Sequence, residues 1–240
     1  MNHNVLIKLA KASKQVYESN PVKHPGIETF ISQKNIQVLI IDNWTDVIVA
    51  FRGTDSLLDW KTNFGLNLVP YKNYGKVHSG FLEAVNLVKE SIFTKLKEYN
   101  KPLNLTGHSA GSAEAIIFAL MAEERGFRVE NLYTFGQPRC ANQKFIDNVY
   151  YNIRYFRVVN QCDPIANSPP NFWFWGYAHA GRQLYFDEDS KVMPKQTEYD
   201  IFCDFLWRRL QGMVPNIFKH FLDQHSMDTY LENCKKLLWM

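Results

Sequence analysis

Gly107-His108-Ser109-Ala110-Gly111 is the stretch of this chain best suited to chemistry. A Gly-x-Ser-x-Gly run permits a sharp turn between a strand and a helix, and such a turn lifts the serine hydroxyl into the open. A hydroxyl is a weak nucleophile at neutral pH, so it needs a general base and an acidic group that orients the base. One chain order in which these groups occur is Ser, then Asp or Glu, then His. Asp163 suits the acid, because it follows the apolar Val158-Val159 by a few residues and precedes Pro164. A plain Asp-Pro turn is the alternative. Asp187, Glu188 and Asp189 form a clustered acidic turn that reads as a solvated hairpin loop.

Seven histidines compete for the role of base. His3 and His24 precede the sheet and read as surface residues. His78 precedes a helix, His108 sits inside the serine turn with its side chain expected to point away from the nucleophile, and His220 falls in a helix interior. His179 and His225 remain. Order and position favour His225, on a short connection before a last helix capped by Ser226 or Asp228. An ester-cleaving serine also needs two backbone donors for the oxyanion. Ala110, directly after the serine, supplies one; Thr54, in the turn Arg52-Gly53-Thr54-Asp55, supplies the other unless that turn is an ordinary one.

The flanking elements agree with this use. Pro102 to Thr106 reads as a buried strand, and the Ala-rich Ser112 to Ala122, apolar nearly all round, as a helix buried against a sheet. Ile36 to Asp42 and Asp46 to Phe51 are β-branched runs joined by a short turn, which predicts a hairpin. Phe81, Val85, Val88, Ile92 and Leu96 recur at helical spacing over about 79–98. Leu132 to Phe135, Tyr155 to Val159 and Gln183 to Phe186 read as strands, and Gln143 to Val149 as a short helix. Leu6, Leu9, Ala10 and Tyr17 fit one face of an opening helix that Ser13 interrupts. The alternation of strand and helix argues for an α/β fold with a mixed, mostly parallel central sheet.

A length of 240 residues suits one domain spanning 1–240. A net charge of +3 gives no footprint for nucleic acid. Cys140, Cys162, Cys203 and Cys234 show no zinc-type spacing and read either as free thiols or as two disulfides. The first residues are too polar for a signal peptide, and no apolar run reaches the roughly 20 residues that span a bilayer. A soluble, cytoplasmic protein is therefore expected, with export by a non-standard route left open.

Taken together, these residues resemble the class 3 lipases, α/β hydrolases typified by fungal triacylglycerol lipases. The likeness is carried by Val49 to Thr54 with Trp60, Val77 to Phe81, Thr106 to Gly111, Thr134 to Arg139 and Val158 to Pro164. The tail His225 to Tyr230 resembles the family's terminal His and Tyr region. The resemblance implies an α/β-hydrolase fold with a lid, Ser109 as nucleophile, Asp163 as acid, His225 as base, and Thr54 and Ala110 as the oxyanion hole. It implies no cofactor and no metal. Gly176 to Arg182 is similar to a family segment whose histidine, here His179, is not the base. The implied activity is hydrolysis of lipid esters, by a triacylglycerol or monoacylglycerol lipase. A phospholipase A1, a short-chain esterase, and an inactive hydrolase-fold protein that binds lipid or a partner are the competing readings.

Three departures stand out. Ala110 and Ser112 replace residues of the family's usual Gly-His-Ser-Leu-Gly-Gly, which implies an altered floor of the acyl pocket. Glu114 occupies a position that is normally small or apolar. The absence of a signal peptide sets the chain apart from secreted members. Ser56 to Asn73 occupies the lid's place, with Leu57, Leu58, Trp60, Phe64, Leu66 and Leu68 as its apolar face, and a core helix and loop is the alternative. Phe172 to Tyr177 suits an acyl wall, a membrane contact or an aromatic core cluster, and Trp207-Arg208-Arg209 suits either docking on anionic lipid or a solvated helix face.

Overall fold

Apolar residues alternate between the two faces of the central strands, and this alternation sets the architecture. The computed structural model describes residues 1–18, 23, 27–54, 67–161, 163–169, 176–179, 181–187, 189–193 and 222–237. Their elements run α1 (His3–Gln15), β1 (Glu28–Gln33), β2 (Ile36–Asp42), β3 (Val47–Phe51), β4 (Leu68–Tyr71), β5 (Gly75–His78) and α2 (Ser79–Leu96). Then follow β6 (Leu103–His108), α3 (Ala110–Glu124), β7 (Val129–Phe135), α4 (Gln143–Asn152), β8 (Arg154–Asn160), β9 (Arg182–Phe186), β10 (Val192–Met193) and α5 (Met227–Lys236).

Eight strands form one sheet in the order β1-β2-β3-β6-β7-β8-β9-β10, and β4 pairs with β5 apart from it. Strands β3, β6, β7, β8 and β9 are parallel neighbours, whereas β1, β2 and β10 join antiparallel at the two ends. This is the mixed sheet with a parallel centre that the sequence predicts. Val38, Ile40, Val49, Phe51, Leu103 and Leu105 pack in the core shared with α2 and α3. Leu39, Ile48, Ala50, Tyr133 and Phe135, one residue out of step, pack in the core shared with α1 and α5. A strand covered on both faces is expected to be apolar throughout, and β3 is buried at all five positions.

Helix α2 buries Phe81, Val85, Val88, Ile92, Phe93 and Leu96 along one stripe. Each full burial of this kind contributes about 1.5–3 kcal/mol. Helix α3 is buried from Ala110 through Ala122, which fixes the helix behind the serine turn.

Some features depart from expectation. Strands β1, β4, β5 and β10 carry no clean alternation, and the sequence did not predict them. Ser13 does not interrupt α1: its buried hydroxyl lies 2.7 Å from Thr106 Oγ1, which ties the helix to β6. Cys140 and Cys234 are buried free thiols; Cys162 and Cys203 lie outside the described residues. So do His24, His220, Phe172 to Trp175, Trp207 to Arg209 and positions 56–66 of the expected lid, whose end forms β4. Among the described residues no helix is long and apolar enough to cross a membrane.

Candidate active site

Parallel strands end on the same side, so the loops that leave them meet. Phe51 of β3 pairs with Gly107 of β6, His108 with Phe135 of β7, and Phe135 with Val158 of β8. The loops after β3, β6 and β8 carry Thr54, Ser109 and Asp163 in turn. Carboxyl ends of parallel strands are where such sheets hold ligands.

Ser109 stands at the junction of β6 and α3 with φ 57° and ψ −129°, a conformation that L-residues rarely adopt. Its N–H donates to the Phe135 carbonyl at 2.9 Å, which helps to hold the turn. The neighbouring glycines are required by space: a Cβ on Gly107 would strike the backbone of Gly111, and one on Gly111 the Phe51 carbonyl. Although Ser109 occupies the N-cap position, its side chain makes no capping bond, so the hydroxyl is not spent on the helix. The N–H of Ala110, in the first turn of α3, has no intrahelical acceptor. Ser112 is fully buried. Its hydroxyl donates to the Gly107 carbonyl at 2.6 Å and accepts the Phe135 N–H at 3.2 Å, locking turn, helix and β7 together.

Asp163, fully buried, accepts the Nδ1 proton of His225 at Oδ2, 2.8 Å away. The same oxygen accepts from the Tyr230 hydroxyl at 2.6 Å, and Oδ1 accepts from the N–H of Ile165 at 2.8 Å and of Ala166 at 3.3 Å. Burial pushes the carboxyl pKa up, but the charge and hydrogen bonds of His225, with those of Tyr230 and Ile165, outweigh it and leave the value below the ordinary 3.8. The Nδ1–Asp163 bond leaves the His225 lone pair on Nε2, a buried atom with no hydrogen-bond partner. His225 ends a helical turn over 222–225, and Ser226 caps α5 by accepting the Asp228 N–H. Asn160, at the end of β8, fastens this segment through Nδ2 to the carbonyl and Oε1 of Gln224, at 3.0 and 2.7 Å. At Gly136, φ is +58° and a Cβ would lie 2.9 Å from Asp163 Oδ2, so only glycine lets the Asp–His pair close.

His108 is turned toward the site, contrary to expectation. Its ring lies 4.6 Å from that of His225, centre to centre. Nε2 lies 2.7 Å from the His225 carbonyl, which can only accept, so Nε2 carries the proton and Nδ1 accepts. Burial first, and then the neighbouring His225, push the His108 pKa down to about 3, which keeps the ring neutral. Nδ1 therefore receives the Tyr17 hydroxyl proton at 2.9 Å, while the Tyr17 oxygen accepts the Gly53 N–H at 2.9 Å. A continuous chain of hydrogen bonds thus joins the loop of Thr54 to the backbone of His225. Tyr17→Phe is expected to slow kcat for ester cleavage about tenfold with little change in KM, and to cost about 1–3 kcal/mol by stranding the Gly53 N–H. Steady-state kinetics beside a denaturant melt checks this; a loss of stability alone would leave Tyr17 a merely structural residue.

A cavity of about 220 Å³ is lined by Tyr17, Thr54, His108, Ser109, His225 and Ser226, with Leu222, 47% exposed, at its rim. The structure thus brings Ser109, Thr54 and His225 to one cavity wall, with Asp163 behind. His179 lies elsewhere. Burial, followed by the charges of Arg157 and Arg139, holds its pKa well below 6.5, an environment that opposes the proton uptake a base requires. Ala110 and Thr54 also line a second cavity, of about 110 Å³, which contains Glu114. Among the described residues no group of His, Cys, Asp or Glu is arranged to hold a metal ion.

The family model for lipase (class 3) matches residues 48–173, just over half of the chain. The chain belongs to the class 3 lipase family. As a class 3 lipase domain it is 32% identical over 174 residues to a lipase of Rhizomucor miehei, covering 68% of this chain and 47% of that protein. It is 28% identical to the triacylglycerol lipase OBL1 of Ricinus communis, covering 78% of this chain and 50% of that one. The chain therefore spans about half the length of these two relatives. A solved triacylglycerol lipase whose catalytic centre is a serine protease triad superposes with a TM-score of 0.66 at 26% identity, covering 78% of this chain and 81% of that one.

Within this class 3 lipase fold, sequence reasoning overlooked three supports of the site. Tyr17 was read as apolar packing, and no local signal corrects this, because its partners lie far along the chain. His108 was assigned the wrong direction. Asn160 carries a signal that points to its role, because a buried amide at the end of a strand must find partners.

Proposed function

We propose that this protein is a serine carboxylic-ester hydrolase acting on lipid esters, a triacylglycerol or monoacylglycerol lipase that works through an acyl-enzyme at Ser109. The observation that carries the reading is the 2.8 Å Asp163–His225 bond, which leaves Nε2 unengaged beside the cavity of Ser109. Further support comes from family membership and from the triad of the solved triacylglycerol lipase. In this reading Ser109 Oγ attacks the ester carbonyl while His225 Nε2 takes its proton. Asp163 holds the tautomer and stabilises the imidazolium as it forms. The N–H groups of Thr54 and Ala110 receive the oxyanion, and the dipole of α3 adds positive potential there. Collapse expels the alcohol, which takes the proton back from His225. Water, deprotonated by His225, then releases the acid.

A fluorophosphonate probe, followed by peptide mapping, tests this together with a panel of ester lipids differing in chain length and head group. Labelling confined to Ser109 and turnover of glycerol esters are expected. Labelling at another serine would overturn the nucleophile; no labelling and no turnover would identify a hydrolase fold used only for binding.

A further inference from the structure

Glu114, one turn into α3, is 4% exposed, and its Oε2 is buried without a hydrogen-bond partner. A carboxyl in that state is costly to keep, because a polar atom removed from water normally finds a partner in the protein or in a ligand. It faces the cavity of about 110 Å³ whose other walls include Thr54, Ala110, Gly80, Phe81 and Ala84. Thr54 borders both this cavity and that of Ser109, so the space lies directly behind the candidate oxyanion donors. Its volume equals about four water molecules at roughly 30 Å³ each. That room suits a short acyl segment. Ile36, Phe81 and Ala84 supply apolar wall, while Glu114, with Arg52 and Asn35, supplies polar groups.

We propose that this cavity is an acyl subsite for short esters bearing a hydroxyl or keto oxygen, and that Glu114 is the specificity-determining residue that hydrogen-bonds that oxygen. The proposal rests on the reading of Ser109 given above. A protonated carboxyl offers one O–H donor and one carbonyl acceptor, so it satisfies a hydroxyl in either sense and a keto oxygen through its O–H. An unsubstituted alkyl chain entering the same space leaves Glu114 without a partner. Sites built to bond a substrate oxygen discriminate strongly for that reason.

The test compares kcat/KM for the p-nitrophenyl esters of butyrate and 3-hydroxybutyrate, and of pentanoate and 4-oxopentanoate. Wild type is expected to favour the oxygenated member of each pair by about tenfold or more, mainly through KM. Glu114→Gln, which keeps a donor and an acceptor in the same volume, retains that preference. Glu114→Leu reverses it. A wild-type ratio near one overturns the proposal, as does a preference that survives Glu114→Leu. Cleavage of the plain esters without discrimination defeats this inference alone; failure to cleave any of the four also defeats it, and defeats the reading of Ser109 as well when the fluorophosphonate leaves that serine unlabelled.

Discussion

Ser109→Ala and Asp163→Asn are expected to lower kcat for ester hydrolysis by about 10⁴- to 10⁶-fold, and the double variant to be no slower than Ser109→Ala alone. In the proposed mechanism the serine variant removes the nucleophile outright. The asparagine variant acts through the tautomer: its amide can offer hydrogens to His225 Nδ1, which moves the ring proton to Nε2 and removes the acceptor that Ser109 needs. Because the two groups serve one proton transfer, their losses do not add. The Ile165 and Ala166 N–H groups, bonded to Asp163 Oδ1, find the same acceptor in the Asn side-chain oxygen, so the loop is expected to stay in place. Burst kinetics with a chromogenic ester, beside circular dichroism of each variant, checks the effect. A folded Asp163→Asn protein retaining a tenth of wild-type turnover would remove Asp163 from the mechanism.

The second large effect concerns stability. Burial alone raises the Glu114 carboxyl pKa from 4.5 to about 8. Between these values the unfolded chain has released the proton and the folded chain still holds it, so stability falls as pH rises across that window and levels off above it. The whole decline is on the order of 5 kcal/mol at about 1.4 kcal/mol per pH unit. Glu114→Gln has no such proton to lose, so its unfolding midpoint in denaturant is expected to exceed that of wild type by more at pH 8 than at pH 5. Asp163 acts in the opposite sense and elsewhere: its lowered pKa gives stability that is present above 3.8 and lost as pH falls below it. His108 and His179, both held neutral by burial, weigh against stability on the acid side. The difference between wild type and Glu114→Gln isolates the carboxyl, and parallel curves from pH 5 to 8 would refute its burial as a neutral acid.

Much of the parallel centre was legible because its physics is local. Each of β3, β6 and β7 is apolar enough to announce itself, and a Gly-bounded serine between strand and buried helix leaves few alternative conformations. The edge strands escaped for the opposite reason. Glu28–Gln33 shows no alternation because most of its side chains are only half-buried, so neither face imposes a period. Ser112 and Ser13 show where inference from type fails: each looked like a variation or a break, and each is a buried hydroxyl joining two elements. Such bonds depend on which strands become neighbours, and the chain states that only once it is folded. Glu114 is the converse case. Its oddity is plain in the sequence, but its meaning needs the cavity that α2, α3 and the loop after β3 enclose together.

The hydrogen-bonded run from Gly53 through Tyr17 and His108 to His225 bears on the order in which the molecule is made. Tyr17 emerges from the ribosome early and His225 late, separated at 5–20 residues per second by roughly 10–40 seconds of synthesis. Helix α1 packs against α5, which is later still. A nascent chain can therefore build most of its sheet before His225 reaches the cavity of Ser109, and the hydrogen-bonded run closes only when α1 and α5 meet.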